Sequence, residues 1–318
     1  ATTTTTAAAA APTTTAPVPA GTAVRPADAE ARKRRGEFVR GESTMRSYIV
    51  DCDAENIDPS SVEFPAEAGR YHLYCSYNCP WSHRCLLARS VLGLDDIVSA
   101  DIVYYRRDDE HGWWQFRPDL DPSTDADSVN NFRFVKQLYE KDGNDKEKSV
   151  PVLYDKRLKK IVNNESAEIV RILNTAFRSI LRRRRGDGGG VDLLPDEHYS
   201  HVEYFNAWTY TMINNGAYRA GFSSSQQAHA EAAARYFDAL DRLQLLFATR
   251  RFVCGARVTE ADLRLFPTIV RHDAVYYVRF RLTKRRIRDY AHVQRWLRDM
   301  WHNVPGVAAA TNLVHAKR

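Results

Sequence analysis

Asn78-Cys79-Pro80-Trp81-Ser82 is the stretch of this sequence best suited to chemistry. Cys79 follows an aromatic-rich run, residues 71–76, that reads as a strand. Pro80 then opens a run with Leu86, Leu87, Val91 and Leu92 at helical spacing, closed by Gly93. Proline at the first helical position and glycine just past the last are the expected helix ends. A cysteine at such a junction faces the free N–H groups of the first turn and the positive end of the helix dipole. Both stabilise the thiolate, which is the nucleophilic form. Ser82 stands where a second cysteine would complete a Cys-x-x-Cys pair, so a mixed disulfide on Cys79 would be resolved by an external thiol. Cys75 on the strand and Cys85 within the helix read as buried structural thiols.

Two more places carry chemistry. Val150-Pro151 leads into the apolar run Val152-Leu153-Tyr154. A cis bond there would expose the backbone N–H and C=O of Val150 to an extended peptide. A trans proline on an edge strand fits the spacing equally well. Asn164-Glu165-Ser166 begins a helix whose apolar face is Ile169, Ile172, Leu173 and Ala176. Hydroxyl and amide groups at a helix start can receive a carboxylate, and Glu165 would answer an ammonium group. Simple capping by Asn164 or Ser166 explains the same residues.

These positions need a frame to hold them. The chain has 318 residues, and 46 Lys and Arg against 40 Asp and Glu give a net charge of +6. That length suits about two domains. A second strand is predicted within 97–105, then a long polar insert at 106–148, then a hairpin around Asp155-Lys156. Helices follow over 197–212 and 226–247. Another starts at Thr259-Glu260-Ala261-Asp262, a capping box with Asp in the Glu/Gln place. The pattern predicts an α/β unit over 70–178 and an all-helical domain over 196–318.

The remaining segments are read from composition. Residues 1–34, Ala/Thr/Pro-rich and then charged, predict a disordered tail, and 35–69 an extended arm. The Arg/Gly-rich stretch 179–195 predicts a solvated linker. Its basic run, Arg182 to Arg185, lacks the interleaved aromatics of a nucleic-acid surface, so no nucleic-acid partner is expected. No run approaches the roughly 18 apolar residues of a membrane span. His72, His83 and His111 lack metal-ligand spacing, so no metal is expected. Five cysteines without a Cys-x-x-Cys pair fit an intracellular, reducing compartment, cytoplasmic or organellar. Residues 1–24, free of acidic side chains, would suit the remnant of a transit peptide.

Several separated motifs together resemble one family. Asn78-Cys79-Pro80-Trp81-Ser82-His83-Arg84, Gly112-Trp113, Val150-Pro151-Val152-Leu153-Tyr154-Asp155 and Asn164-Glu165-Ser166 resemble the glutathionyl-hydroquinone reductases, the Xi class of glutathione transferases. Ile213-Asn214-Asn215-Gly216-Ala217-Tyr218-Arg219-Ala220-Gly221-Phe222 and His272-Asp273-Ala274-Val275-Tyr276 agree in the helical half. Gly36-Glu37-Phe38-Val39-Arg40 resembles the family's N-terminal arm, so the likeness covers about residues 35 to 318.

The resemblance implies a thioredoxin-like N-terminal domain followed by a helical glutathione-transferase C-terminal domain. Cys79 would be the nucleophile, Tyr218 the proton donor to the quinol, and Tyr276 a stabiliser of the Cys79 thiolate. Trp113 would contact glutathione, Val150 would pair with its backbone, and Glu165 and Ser166 would hold its γ-glutamyl end. The family's arginine three residues before Val150 is here Glu147, with Lys148 as the substitute. Beyond a His-Xaa-Lys-Arg motif the family continues into tyrosines near the site, whereas the sequence in hand ends at Arg318.

No tightly bound cofactor is implied. Glutathione is the co-substrate, glutathionylated quinols are the substrates, and a homodimer is the assembly. An omega-like thioltransferase or dehydroascorbate reductase would use the same Cys79. A non-catalytic scaffold on this fold is disfavoured by the intact Cys79-Pro80 and Asn164-Glu165-Ser166.

Overall fold

The computed structural model describes residues 26–186 and 190–318. Its sheet is built on β1 (Tyr71–Cys75), which is buried along its whole length, as a continuous apolar and aromatic run requires. β1 pairs in parallel with β2 (Ser99–Ile102) and antiparallel with β3 (Val152–Asp155). β3 pairs antiparallel with β4 (Lys160–Asn163), giving the order β2-β1-β3-β4. The β3–β4 turn is made by Asp155, whose Oδ1 accepts the amides of Arg157 (2.8 Å) and Leu158 (3.1 Å). Its Oδ2 accepts from Nε of the buried Arg70 at 2.8 Å.

The arm begins in a helix. α1 (Pro26–Arg34) stands where charge density alone read as disordered tail. Proline at the start and a run of Ala, Glu, Arg and Lys are strong helix formers, and net polarity does not oppose a solvent-facing helix. Residues 1–24, expected to be disordered, lie outside the described residues, as do 187–189 of the predicted linker.

Two helices flank the sheet. α2 (Pro80–Val91) has Cys79 as its N-cap, and α3 (Ser166–Ala176) packs beside it. After α3 the predicted linker departs from expectation, because its basic run lies in a helix, α4 (Arg178–Arg185). Arg183 pairs with Asp53 and Arg184 with Asp96, while Arg185 Nη2 donates to Leu92 O at 3.1 Å. The run is thus exposed, as expected, but helical, with ion pairs that tie α4 to the body.

The insert is ordered by carboxylates. Asp127 accepts the Tyr74 hydroxyl at 2.8 Å and the amides of Val129, Asn130 and Phe132 at 3.0 Å each. One short helix, Lys136–Lys141, closes the insert.

The rest is helical. α5 (Tyr199–Thr209) passes through a π turn, Tyr210–Asn214, into α6 (Asn215–Gly221). α7 (Gln226–Thr249) precedes α8 (Glu260–Arg271), which passes into a second π turn, His272–Tyr276. α9 (Ala291–Asn303) and α10 (Leu313–Lys317) follow. The two halves meet through a buried polar network. Arg171 on α3 reaches Glu260 on α8 with Nη2–Oε1 at 2.8 Å, Asn206 donates to the same oxygen at 2.6 Å, and Arg84 on α2 donates to Arg264 O at 3.2 Å.

Asp262 closes the capping box read from the sequence and does more. Its carboxylate accepts from Thr259 N (3.1 Å), Val253 N (2.9 Å) and Trp296 Nε1 (2.9 Å). Burial pushes this carboxyl up to about 6, against donors that favour the ionised form. Removing it strands several buried N–H groups at once. Asp262→Ala is expected to cost on the order of 3 kcal/mol in urea unfolding, with Asp262→Asn losing less. A loss below about 1 kcal/mol would show that the cap is not holding α8.

Candidate active site

The site is organised around the start of α2. Cys79 takes an extended conformation as N-cap, and its C=O accepts the His83 amide at 3.0 Å. Of the five cysteines it alone is not buried. Burial pushes the Cys75 and Cys85 thiols up, which keeps both uncharged. The Cys79 side chain lies against a cluster containing Val150 and Trp114, and its Sγ approaches Val150 O at 3.5 Å. The Val150–Pro151 peptide is cis. Ser82, in the position of a resolving cysteine, is fully buried.

Trp81, next in α2, forms a wall shared with the helical half. Its ring centroid is 6.1 Å from that of Tyr218 on α6 and 5.8 Å from that of Tyr210. Tyr218 in turn lies 6.2 Å from Tyr276 and 5.3 Å from Phe280. Gly221 allows this cluster: a Cβ there would fall 2.2 Å from the Phe280 ring. Tyr276 is buried and stacks on Phe280 at 4.8 Å.

Burial is the main cause pushing the Tyr218 phenol well up, reinforced by Tyr276 and Cys79. Tyr276 is pushed up to about 12, again by burial first. Both are protonated at neutral pH and able to donate. The guanidinium groups of Arg40 and Arg271 pull both phenols the other way.

In the insert, Trp113 stacks on His111 at 4.3 Å and meets Phe134 edge-on. Lys148 Nζ donates to His111 O at 3.2 Å, which ties Lys148 to the loop that carries Trp113. Glu147 accepts the Ser149 hydroxyl at 3.3 Å, and burial pushes its carboxyl up. The position that carries arginine in the family is thus half-buried here.

The cap of α3 is neither Asn164 nor Ser166. Glu165 is the N-cap, its Oε1 accepting Ala167 N at 3.1 Å and its Oε2 accepting the Ser43 hydroxyl of the arm at 3.2 Å. Asn164 is spent elsewhere: Oδ1 accepts Met45 N at 3.1 Å, and Nδ2 donates to the Tyr139 hydroxyl at 3.2 Å. That hydroxyl donates to Ser149 O at 3.1 Å, which links the α3 start to the Val150 segment. Ser166 is buried beside Glu165, its hydroxyl 3.4 Å from Oε1. A carboxylate held this way can meet an ammonium group.

Two arginines reach the site that sequence spacing did not single out. Arg40, from the arm, lies over the rings of Trp81 and Tyr218 at 4.7 Å each, with Nε donating to Asn215 Oδ1 at 2.9 Å. Arg271, at the end of α8, donates from Nη1 to His83 Nδ1 and from Nη2 to Tyr77 O, both at 2.7 Å. The only signal for Arg271 was a cation ending the apolar run Leu263, Phe266, Ile269 and Val270. Among the described residues no three His, Cys, Asp or Glu side chains converge as a metal-ligand set, and no helix is long and apolar enough to cross a membrane.

Comparison with known proteins agrees with this geometry. The family profile "Glutathione S-transferase, N-terminal domain" matches residues 78–176, and "Glutathione S-transferase, C-terminal domain" matches 226–299. The chain is 37% identical over 290 residues to the glutathionyl-hydroquinone reductase YqjG of Escherichia coli, covering 91% of this chain and 85% of that protein. It is 38% identical over 297 residues to the glutathionyl-hydroquinone reductase PcpF of Sphingobium chlorophenolicum, covering 92% and 87%. Among solved structures, the glutathione-S-transferase Xi of Phanerochaete chrysosporium superimposes with a TM-score of 0.80 at 38% identity, covering 88% and 91%. The glutathione-bound structure of YqjG superimposes at 0.77 and 38% identity, covering 86% of both chains. With both halves of the fold matched and these relatives aligned along nearly the whole chain, the protein belongs to the glutathione transferases, in their Xi class.

Proposed function

We propose that this enzyme reduces glutathionyl-hydroquinones to hydroquinones, with glutathione as co-substrate and oxidised glutathione as product. The Cys79 thiolate attacks the thioether sulfur, forming a Cys79–glutathione disulfide as the carbon–sulfur bond breaks. The electron pair left on the ring carbon takes a proton from Tyr218. A second glutathione thiolate then attacks the glutathione sulfur of that disulfide, oxidised glutathione leaves, and Cys79 is again a thiolate. Cysteine suits both steps because it is nucleophile and leaving group in turn. Trp113, Lys148, Val150, Glu165 and Ser166 hold glutathione, and the working assembly is a homodimer.

The observation that carries this reading is the pair of protonated phenols, Tyr218 and Tyr276, packed on each other, with Tyr218 also against Trp81, two residues after Cys79. Disulfide exchange has no use for a proton donor aimed at carbon. The test is turnover of glutathionylated quinols beside dehydroascorbate and hydroxyethyl disulfide. Quinol substrates are expected to give the highest kcat/KM. Preference for dehydroascorbate or the disulfide would make this an omega-like thioltransferase instead.

A further inference from the structure

We propose that Arg271 is the fixed counter-charge of the Cys79 thiolate, a positioning residue delivered by the helical half to the turn that carries the nucleophile. The inference rests on Cys79 being the nucleophile of the reading above.

Arg271 is 3% exposed, and every acceptor it has is neutral. Nη1 donates to His83 Nδ1 at 2.7 Å and to Pro267 O at 2.9 Å, and Nη2 donates to Tyr77 O at 2.7 Å. Its Nε is buried without a partner. A buried cation normally has a carboxylate against it, because an unpaired charge out of water is costly. Burial pulls the guanidinium's proton affinity down, and the ionisable groups that act against it are Tyr276, Tyr218 and Cys79. Among the described residues no Asp or Glu is one of them.

The geometry singles out Cys79 among the three. Tyr77 and His83 lie two residues before and four after Cys79, so the guanidinium bridges both flanks of the nucleophile's turn. The two phenols are held in their neutral form by burial.

His83 does not add a second cation. Because its Nδ1 accepts from Arg271, its proton is on Nε2, which donates to Thr311 Oγ1 at 2.9 Å; that hydroxyl donates on to Val307 O at 2.7 Å. Burial first and then the neighbouring guanidinium push His83 well down.

The surrounding elements leave this pairing undisturbed. From β1 and α2, Cys75 and Cys85 are buried and neutral. From the arm, Arg40 faces the phenols, and within α2 Arg84 lies behind Trp81 at 4.4 Å from its ring. On the C-terminal side, His315 packs edge-on to Tyr77, while the Asp121 carboxylate is taken by His315 and Arg318.

The pairing acts in both half-reactions. A fixed positive charge favours the thiolate before attack. Once Cys79 is held as a disulfide the cation is again unpaired, which favours the exchange that expels Cys79 as thiolate.

The experiment is the pH dependence of iodoacetamide alkylation at Cys79, read by peptide mass for folded wild type and Arg271 variants. Glutathione-protected alkylation in the wild type checks the nucleophile itself, independently of the variants. In Arg271→Met the midpoint is expected to rise by about one pH unit or more, and Arg271→Lys, which keeps the charge, should recover most of that shift. Arg271→Gln, whose amide can still donate to Tyr77 O, replaces Met if Met does not fold and should show the same rise. An unmoved midpoint in the neutral variants, or an equal rise in Lys and the neutral variants, would overturn the proposal.

Discussion

Cys79→Ala is expected to abolish thiol-dependent turnover, a fall on the order of 10³-fold or more, while Cys75→Ala and Cys85→Ala keep most of it. The contrast follows from position rather than from residue type. Cys79 caps α2, remains partly open and lies 3.5 Å from Val150 O. Cys75 and Cys85 are fully buried, and burial keeps their thiols protonated. Their replacement leaves small cavities and touches stability before rate. Cys79→Ser should be nearly as inactive as the alanine variant, since a serine hydroxyl is not ionised there and forms no mixed disulfide. The measurement is steady-state reduction of a glutathionyl-hydroquinone, with intact mass after one turnover to detect glutathione bound to the enzyme. Near-normal turnover in Cys79→Ala, or a glutathione adduct on another cysteine, would remove the mechanism.

The second large effect separates carbon–sulfur cleavage from disulfide exchange. Tyr218→Phe is expected to slow glutathionyl-hydroquinone reduction by at least about tenfold while sparing hydroxyethyl disulfide. Cleaving a thioether on an aromatic ring leaves an electron pair on carbon, and a proton must arrive there. In disulfide exchange the leaving thiolate needs none. The Tyr218 ring is held by Trp81, Phe222, Phe280 and Tyr276, and Phe preserves each of those contacts. Packing is thereby controlled, and the hydroxyl is the only group removed. Equal losses on both substrates would assign Tyr218 to packing or to the glutathione site, and no loss on either would remove it from the chemistry.

The sequence made some of this legible and hid the rest, for physical reasons. The strand-Cys-Pro-helix junction is a local pattern, with proline and glycine marking both helix ends, and it survives folding unchanged. The capping box at Thr259 and Asp262 is local too. What local pattern could not show was where long-range partners fall. The arginine run of α4 is solvated as its sequence suggests, but its partners Asp53 and Asp96 are roughly ninety or more residues away and could not be read. Glu165 reads in sequence as a counter-charge for an ammonium group, and its capping of its own helix and its hydroxyl from the arm could not be read there. Arg40 and Arg271 gain meaning only once the arm and α8 are brought to α2. Both would pass in sequence as ordinary surface cations.

The two π turns have a consequence for how this enzyme class can change. Tyr276 closes one of them, and Tyr218 follows the other by four residues. A π turn carries an extra residue relative to an α-helix, so everything beyond it is rotated by roughly 100° from where unbroken α geometry would put it. The aim of each tyrosine is therefore set by a count of residues as well as by its contacts. Deleting one residue from 211–213 would re-aim the Tyr218 side chain while leaving the residues around Trp81 unchanged. Natural variation by single-residue insertion or deletion in these turns would then re-aim the Tyr218 phenol in one step, a change that no point substitution can make.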